Sequence, residues 1–426
     1  MVEKEILEGF RVLSLEQVHV LPWGTAFLAD FGAEVVRVES VGHMQDRRSG
    51  PFPDYKPSSE WWNEGGSLAY FGLRNKESLC LDVTTPLGKE TFLQLVKNSH
   101  IVTDNFRPGT MKRLGLDHES LVEVNPQIIS LSCTAYGHTG PWRAAGSRAR
   151  TADAACGLSN LTGYEDGPSY RASSNYMDHS GGNNNALALM LALWQLNKTG
   201  KGMRLDLTMQ ETGVMAIGPA ILEAQRGIVR RRLGASHLWK APHNVYPCSG
   251  KDRWIAIAVS SDAEWAGLKS AMGNPEWANH PQFMDTLARW NNRHDLDHLI
   301  SEWTSDHDNQ KLMDLLQSHL VPAGAVLTAE DLSRNEHLKQ RGYLEVFNNP
   351  HAPWVGPRVY AARPFKIPGI DTSIRHIASL GEHNSKVLSE IGGLSAEEIQ
   401  SLAEKGIIAD KPKNPEDVPR DFVIRG

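Results

Sequence analysis

Long apolar runs are missing from this chain. The longest, Ala186 to Trp194, is far too short to cross a bilayer. Cysteine is scarce: Cys80, Cys133, Cys156 and Cys248 stand far apart with no C-x-x-C pair. That spacing argues against a disulfide framework or a zinc site and fits a reducing compartment. An excess of either charge is also missing. Lys and Arg number 44 against 50 Asp and Glu, a net charge of −6, so no strong basic field exists to hold nucleic acid. One basic run, Arg230-Arg231-Arg232, reads as a solvated face or as a ligand or subunit contact. The N-terminal Met1-Val-Glu-Lys-Glu carries no apolar signal core. These absences predict a soluble, cytoplasmic protein that uses neither membrane nor nucleic acid.

Familiar chemical signatures are absent as well. No G-x-G-x-x-G follows a strand, no P-loop occurs, and neither H-E-x-x-H nor G-x-S-x-G is present. The 17 histidines are scattered without ligand spacing, so no metal is expected.

What is present begins with length. At 426 residues, two domains are the default. Over the first 135 residues, strand-like runs alternate with helix-like ones. Arg11 to Leu15, Glu34 to Glu39, Leu79 to Val83, Ile101 to Asp104 and Ile128 to Cys133 read as strands. Pro22 to Phe31 and Thr85 to Lys97 read as helices. This alternation implies βαβ units and a mostly parallel sheet, an α/β fold with ligands at strand carboxyl ends. Helical segments continue to Ala224. Residues 225–330 then read as a smaller α+β domain, with a strand at Trp254 to Val259 and a Trp-rich helical part. Residues 331–426 return to the large domain, ending in a polar, loosely held tail from Lys411.

The segment from Tyr170 to Gln210 is the most informative. Asp178 stands before a Gly-Gly pair, an Asn triplet and a long apolar helix. A helix start offers free N–H groups and the positive end of the macrodipole. An Asp there is expected to stay ionised and fixed, as a carboxylate nucleophile must, with Gly181 and Gly182 as oxyanion donors. The plainer reading is an ordinary N-cap.

Further segments accompany it in order: Gln17-Val-His-Val-Leu-Pro-Trp-Gly24, Asn105-Phe-Arg-Pro-Gly109 with Arg113-Leu-Gly115, Tyr136-Gly-His-Thr-Gly-Pro-Trp142, and Leu380-Gly-Glu-His-Asn-Ser-Lys-Val-Leu. Together, over residues 8 to 410, they resemble the family III CoA-transferases. The resemblance implies a Rossmann-like large domain, an interlocked dimer (or a heteromer with a related subunit), and coenzyme A as co-substrate without a metal. It implies that Asp178 relays CoA from an acyl-CoA to a small carboxylic acid through a mixed anhydride and an aspartyl-CoA thioester. It places CoA contacts at Gln17, Val18, His19, Leu81, Asn105, Phe106, Arg107 and Arg113. For His19 loop packing is the plainer role, and for Arg113 a helix C-terminal charge.

Two departures from formyl-CoA transferase bear on substrate. No glycine run matches its active-site loop, where this chain reads His237-Leu-Trp-Lys-Ala-Pro-His-Asn-Val-Tyr246, and Ser40 replaces the Arg after the second-strand acid. An oxalate/formate pair is therefore not expected. The segment Ala241 to Trp254 resembles relatives that act with succinyl-CoA on benzylsuccinate. Arg143, Arg148, Arg150 or Arg171 would bind a distal carboxylate, or else serve surface ion pairs. The Trp61-Trp62 pair reads as core or as an aromatic acceptor wall. The alternatives are an α-methylacyl-CoA racemase, whose Gly-His-Asp motif is Gly146-Ser147-Arg148 here, and a non-catalytic acyl-CoA-binding subunit.

Overall fold

The apolar runs of the first half are buried on both sides, as parallel strands must be. The computed structural model describes residues 5–48, 52, 57–64, 72–171 and 175–419. The N-terminal residues 1–4 and tail residues 420–426 discussed above lie outside this set. Six strands form one parallel sheet: β1 Arg11–Leu15, β2 Glu34–Glu39, β3 Glu77–Cys80, β4 Ile101–Asp104, β5 Ile129–Thr134 and β6 Arg204–Thr208. Their order is β3-β2-β1-β4-β5-β6, with every neighbouring pair parallel. Successive residues alternate between two cores. Val12 and Val35 join one apolar cluster, Leu13 and Val36 the other.

Helices α1 Val20–Asp30, α2 Pro86–Lys97, α3 Ala149–Ala155, α4 Tyr176–Thr199 and α5 Met209–Ala216 accompany the sheet. Helix α2 starts as its sequence predicts, with the Thr85 hydroxyl accepting the Gly88 N–H and Pro86 in the first turn. Two helix starts differ from expectation. Helix α1 begins at Val20, two residues before Pro22, because Pro is tolerated anywhere in a first turn. Helix α4 begins at Tyr176, so Asp178 lies inside its first turn rather than ahead of it. Strand β6 was not anticipated, since five residues of alternating charge and Leu directly before a helix give little periodic signal.

The chain divides into two compact units: Met1–Leu158 with Ala172–Gly218 and His337–Gly426, and Ser159–Arg171 with Pro219–Glu336. The first holds the parallel sheet and a hairpin of β10 Leu344–Phe347 and β11 Arg358–Ala361. The second holds an antiparallel sheet, β7 His243–Pro247, β8 Trp254–Ala258 and β9 Ala323–Val326. Its own core includes Trp265, Phe283, Leu296 and Ile300. Within it Arg232 donates to the carbonyls of Asn160 and Gly167, while Arg230 pairs with Glu223.

Two devices position the elements of the larger unit. The first is a close approach of α1 and α4. A Cβ on Gly182 would lie 2.6 Å from Trp23 Cδ1 and 2.7 Å from the Val20 carbonyl, and one on Gly24 would lie 2.6 Å from the Gly182 carbonyl. Trp23 Nε1 ties the helices by donating to Asn183 at 2.9 Å. The second device seals the edge strand β3. The Ser78 N–H donates to His383 Nδ1 and the Cys80 N–H to Asn384 Oδ1, while the Gly381 N–H donates to Ser78 Oγ. The Leu380-to-Leu388 motif thus covers an edge that would otherwise expose unpaired backbone.

Gly182→Ala is expected to destabilise the protein by about 1–3 kcal/mol through overpacking. Gly218→Ala, whose added methyl meets open space, is expected to be neutral or slightly stabilising. Urea unfolding of the two variants checks the contrast.

Candidate functional site

In a doubly wound sheet the loops diverge where the strand order reverses, here between β1 and β4. The residues that follow those two strands lock together there. The Gln17 N–H donates to Asn105 Oδ1 at 2.8 Å, and Asn105 Nδ2 donates to the Gln17 carbonyl at 2.7 Å. A cleft of about 410 Å³ opens beside them, lined by Gln17, Leu81, Asn105, Phe106 and Arg107 among others. Of the expected CoA contacts, these five line the cleft. Val18, His19 and Arg113 do not, and Arg113 instead donates to Thr110 Oγ1, whose residue does line it.

The cleft floor is a balanced set of buried ions that sequence reading missed. Glu16, Glu39 and Asp46 face Arg37, Arg47 and Lys76. Arg47 grips Glu39 with two bonds of 2.8 Å. Burial would raise the Glu39 carboxyl, but Arg47 and Arg37 outweigh it and hold it at about 2. Lys76 is pushed down to about 8 by burial, against the pull of Glu16. The members are spread from position 16 to position 76, and no local motif announces them. Arg37 and Arg47 are spent on internal partners. Arg107 is exposed and, among the described residues, enters no ion pair. It is the cleft arginine available for phosphate.

The loop after β1 turns sharply at Val18, a β-branched residue at φ 64°. Such a conformation is strained and persists only when its surroundings fix it. The Gln17–Asn105 pair on one side and the Val18 N–H bond to Asp46 Oδ1, 2.7 Å, on the other supply that fixing. The turn delivers His19 to His179, with Nε2 atoms 3.3 Å apart. His179 Nδ1 lies 2.8 Å from the Asn175 carbonyl, which fixes its proton there and leaves Nε2 to accept. Burial first, then the neighbouring His179, lowers His19 to about 4, so it is neutral at ordinary pH.

His179 follows Asp178, which is only 8% exposed. The cap of α4 is Asn175, not Asp178. The carboxyl is raised from 3.8 to about 6, by burial first and by the charge of Asp153 second. The helix start was expected to keep it ionised; desolvation and a like charge raise the carboxyl all the same, though at about 6 it is still ionised at neutral pH. Asp153 is itself buried, on α3. Gly181 and Gly182 are not oxyanion donors. They sit in the second turn of α4, where the helix ladder uses their N–H groups, and their role is the contact with α1.

Other predicted residues lie elsewhere. Arg143 and Arg148 are exposed on the approach to α3 and Arg150 in its first turn, and a Cβ on Gly146 would sit 3.1 Å from Arg107 Nη2. Arg171 belongs to the smaller unit. The segment from His237 to Tyr246 also lies there, with Tyr246 buried and donating to Asp297 at 2.6 Å. Trp61 and Trp62 are buried at 5.7 Å, as core. The turn from Tyr136 to Trp142 closes the β5–β6 end, with His138 Nε2 2.8 Å from Ser132 Oγ. No helix of the described residues is long and apolar enough to cross a membrane.

A parallel six-stranded sheet with a cleft at its switch point defines a nucleotide-type binding fold. A family model described as CoA-transferase family III matches residues 7–384. The chain is 31% identical over 405 residues to a succinyl-CoA–D-citramalate CoA-transferase of Chloroflexus aurantiacus, covering 94% of this chain and 98% of that one. It is 30% identical to a succinyl-CoA–L-malate CoA-transferase beta subunit of the same organism, over 94% and 98% of the two chains. A solved CAIB/BAIF family protein from Brucella suis superposes with a TM-score of 0.81 at 27% identity, covering 91% of this chain and 100% of that one. The chain belongs to the family III CoA-transferases, enzymes that use CoA thioesters as co-substrates.

Because the folded-state carboxyl of Asp178 titrates above its unfolded value, stability falls as pH rises from about 4 to about 6, and the loss persists above that. The cost is on the order of 3 kcal/mol. Asp178→Asn is therefore expected to raise Tm at pH 7.5 by several degrees and to flatten the pH dependence of Tm between 4 and 6. Asp153→Asn should lower the Asp178 carboxyl toward its ordinary range, read as a narrower pH window over which Tm falls.

Proposed function

We propose that this enzyme moves CoA from succinyl-CoA to a dicarboxylic acid, with Asp178 as the covalent nucleophile. The carrying observation is the connection from cleft to carboxylate. The loop that rims the switch-point cleft at Gln17 reaches, through His19, the residue next to Asp178. A CoA nucleotide in the cleft, with its phosphates at Arg107, would extend its thioester along that loop.

The Asp178 carboxylate attacks the thioester carbonyl carbon, the carbon–sulfur bond breaks, and CoA leaves as thiolate with a mixed anhydride left behind. The thiolate then attacks the Asp178 carbonyl carbon, releasing succinate and forming an aspartyl-CoA thioester. The acceptor carboxylate repeats the exchange in reverse: it displaces the thiolate to form a second anhydride. The thiolate then attacks the acceptor's acyl carbon and restores the Asp178 carboxylate. Donor and product are both CoA thioesters, so the overall exchange is near balance, and the covalent relay splits it into smaller steps. A desolvated carboxylate with its pKa at about 6 is ionised at neutral pH yet poorly hydrated, which favours attack. Burial also keeps water from the anhydrides.

The donor is drawn from two relatives whose names carry succinyl-CoA, each with a hydroxy-dicarboxylate acceptor. Arg143, Arg148 and Arg150 supply cations for a second carboxylate. Benzylsuccinate remains the aromatic member of that acceptor class. Two copies assemble, or one copy with a related subunit. The support is an apolar stripe on α4, with Leu187, Leu191 and Trp194 at 57%, 59% and 58% exposure. Racemisation is disfavoured, since Ser147 stands where a second acid/base group is needed.

Asp178→Ala, with its fold intact by circular dichroism, is expected to lose about 10³-fold or more in turnover. Mass spectrometry of donor-soaked protein quenched mid-turnover should find a CoA adduct on the residue-178 peptide of the parent only. Arg107→Ala should raise KM for the donor about tenfold with kcat little changed. A panel of malate, citramalate, benzylsuccinate and monocarboxylates tests the acceptor; failure of every dicarboxylate would remove that class.

A further inference from the structure

Three residues from two stretches of sequence, His351 on one and His376 and Glu382 on the other, meet in the C-terminal part of the larger unit. His351 Nε2 lies 3.1 Å and His376 Nε2 3.3 Å from the same oxygen, Glu382 Oε2. The three ligand atoms lie within 4.8 Å of one another. Ligands at about 2.0–2.2 Å from a tetrahedral zinc-type ion stand roughly 3.3 Å apart, close to these separations. Hydrogen bonding alone explains the group poorly. Oε2 already accepts the Ser379 N–H at 2.8 Å, so two imidazole donors would exceed its two lone pairs. His376 Nε2 is buried and, despite its distance, is not aligned to donate to that oxygen. A ring nitrogen near a carboxylate oxygen but not directed at it is what two ligands around a common ion look like.

We propose that His351, His376 and Glu382 bind a divalent transition-metal ion of the zinc class, with water as the fourth ligand. The side chains are 30%, 28% and 24% exposed, so the group lies near the surface. Two imidazoles with one carboxylate suit zinc better than magnesium or calcium, which prefer oxygen throughout. His383 is not a ligand in this arrangement, because its Nδ1 accepts the Ser78 N–H. The ion would act as a clasp rather than in the chemistry. It would join the turn at His351 and the stretch at His376, whose carbonyl accepts the Asn75 N–H, to the motif that seals β3. The histidine count gave no hint of it, since the ligands come from positions 351, 376 and 382 with no regular spacing. This site stands apart from the transfer chemistry, and its fate is independent of the reading of Asp178.

The test titrates Zn²⁺ into chelator-stripped full-length protein against a chromophoric zinc indicator, with parallel thermal melts. One equivalent should bind tightly, and Zn²⁺ should raise Tm. His351→Ala and His376→Ala should each weaken binding about tenfold or more and abolish the Tm response. His280→Ala, an exposed histidine elsewhere, should change neither. Glu382→Gln is a third arm; should it fail to fold, the two histidine variants still decide. Absence of a stoichiometric site, or equal binding by His351→Ala and the parent, overturns the proposal. Cobalt(II) gives an independent readout, a visible band that the histidine variants should lose.

Discussion

Three glycines let two helices pack closely, and the positions of His19, His179 and Asp178 follow from that contact. Gly24 on α1 and Gly181 and Gly182 on α4 leave no room for a methyl group. Helix α1 leads directly out of the β1 loop, so its approach to α4 sets where that loop ends. His19 meets His179, and Asp178 is carried into the interior in the first turn of α4. A wider helix separation would leave Asp178 in water, and its carboxyl would then be an ordinary, well-hydrated acid.

The two ends of the site handle charge in opposite ways. At the cleft, three carboxylates and three cations cancel within the protein, and one arginine faces outward. Around Asp178 the described residues offer no such cancellation, and the charge that acts on it is another carboxylate, Asp153. Charge is matched at the cleft and unmatched at Asp178. Perturbed carboxyls of this kind collect at reacting centres for that reason.

Five of the six strands were legible because they include short apolar runs between turn residues, which parallel packing buries on both faces, whereas β6 carries no such run. Of the five cleft residues, Gln17, Asn105, Phe106 and Arg107 were legible through the motifs that follow β1 and β4, and Leu81 through the family resemblance alone. What sequence reading got wrong at Asp178 has one cause. A Gly-Gly pair reads as a loop, so the helix was started after it, and the glycines were given N–H groups to spare. In fact they are helical because another helix presses on them, a tertiary fact that local propensity cannot report. The same holds for the floor of the cleft. Glu16 and Lys76 find each other across 60 positions of chain, at a distance of 2.5 Å.

The sealed edge of β3 has a bearing on how the molecule comes into being. Residues 77–80 emerge early from the ribosome, whereas His383 and Asn384, which occupy their outward N–H groups, emerge some three hundred positions later. Between them the whole of the second unit must be made. Nascent chains therefore pass through an interval in which a half-finished sheet offers a bare strand to any neighbour on the same message. Cells that make this enzyme in quantity have reason to keep a chaperone close to that strand until translation nears its end.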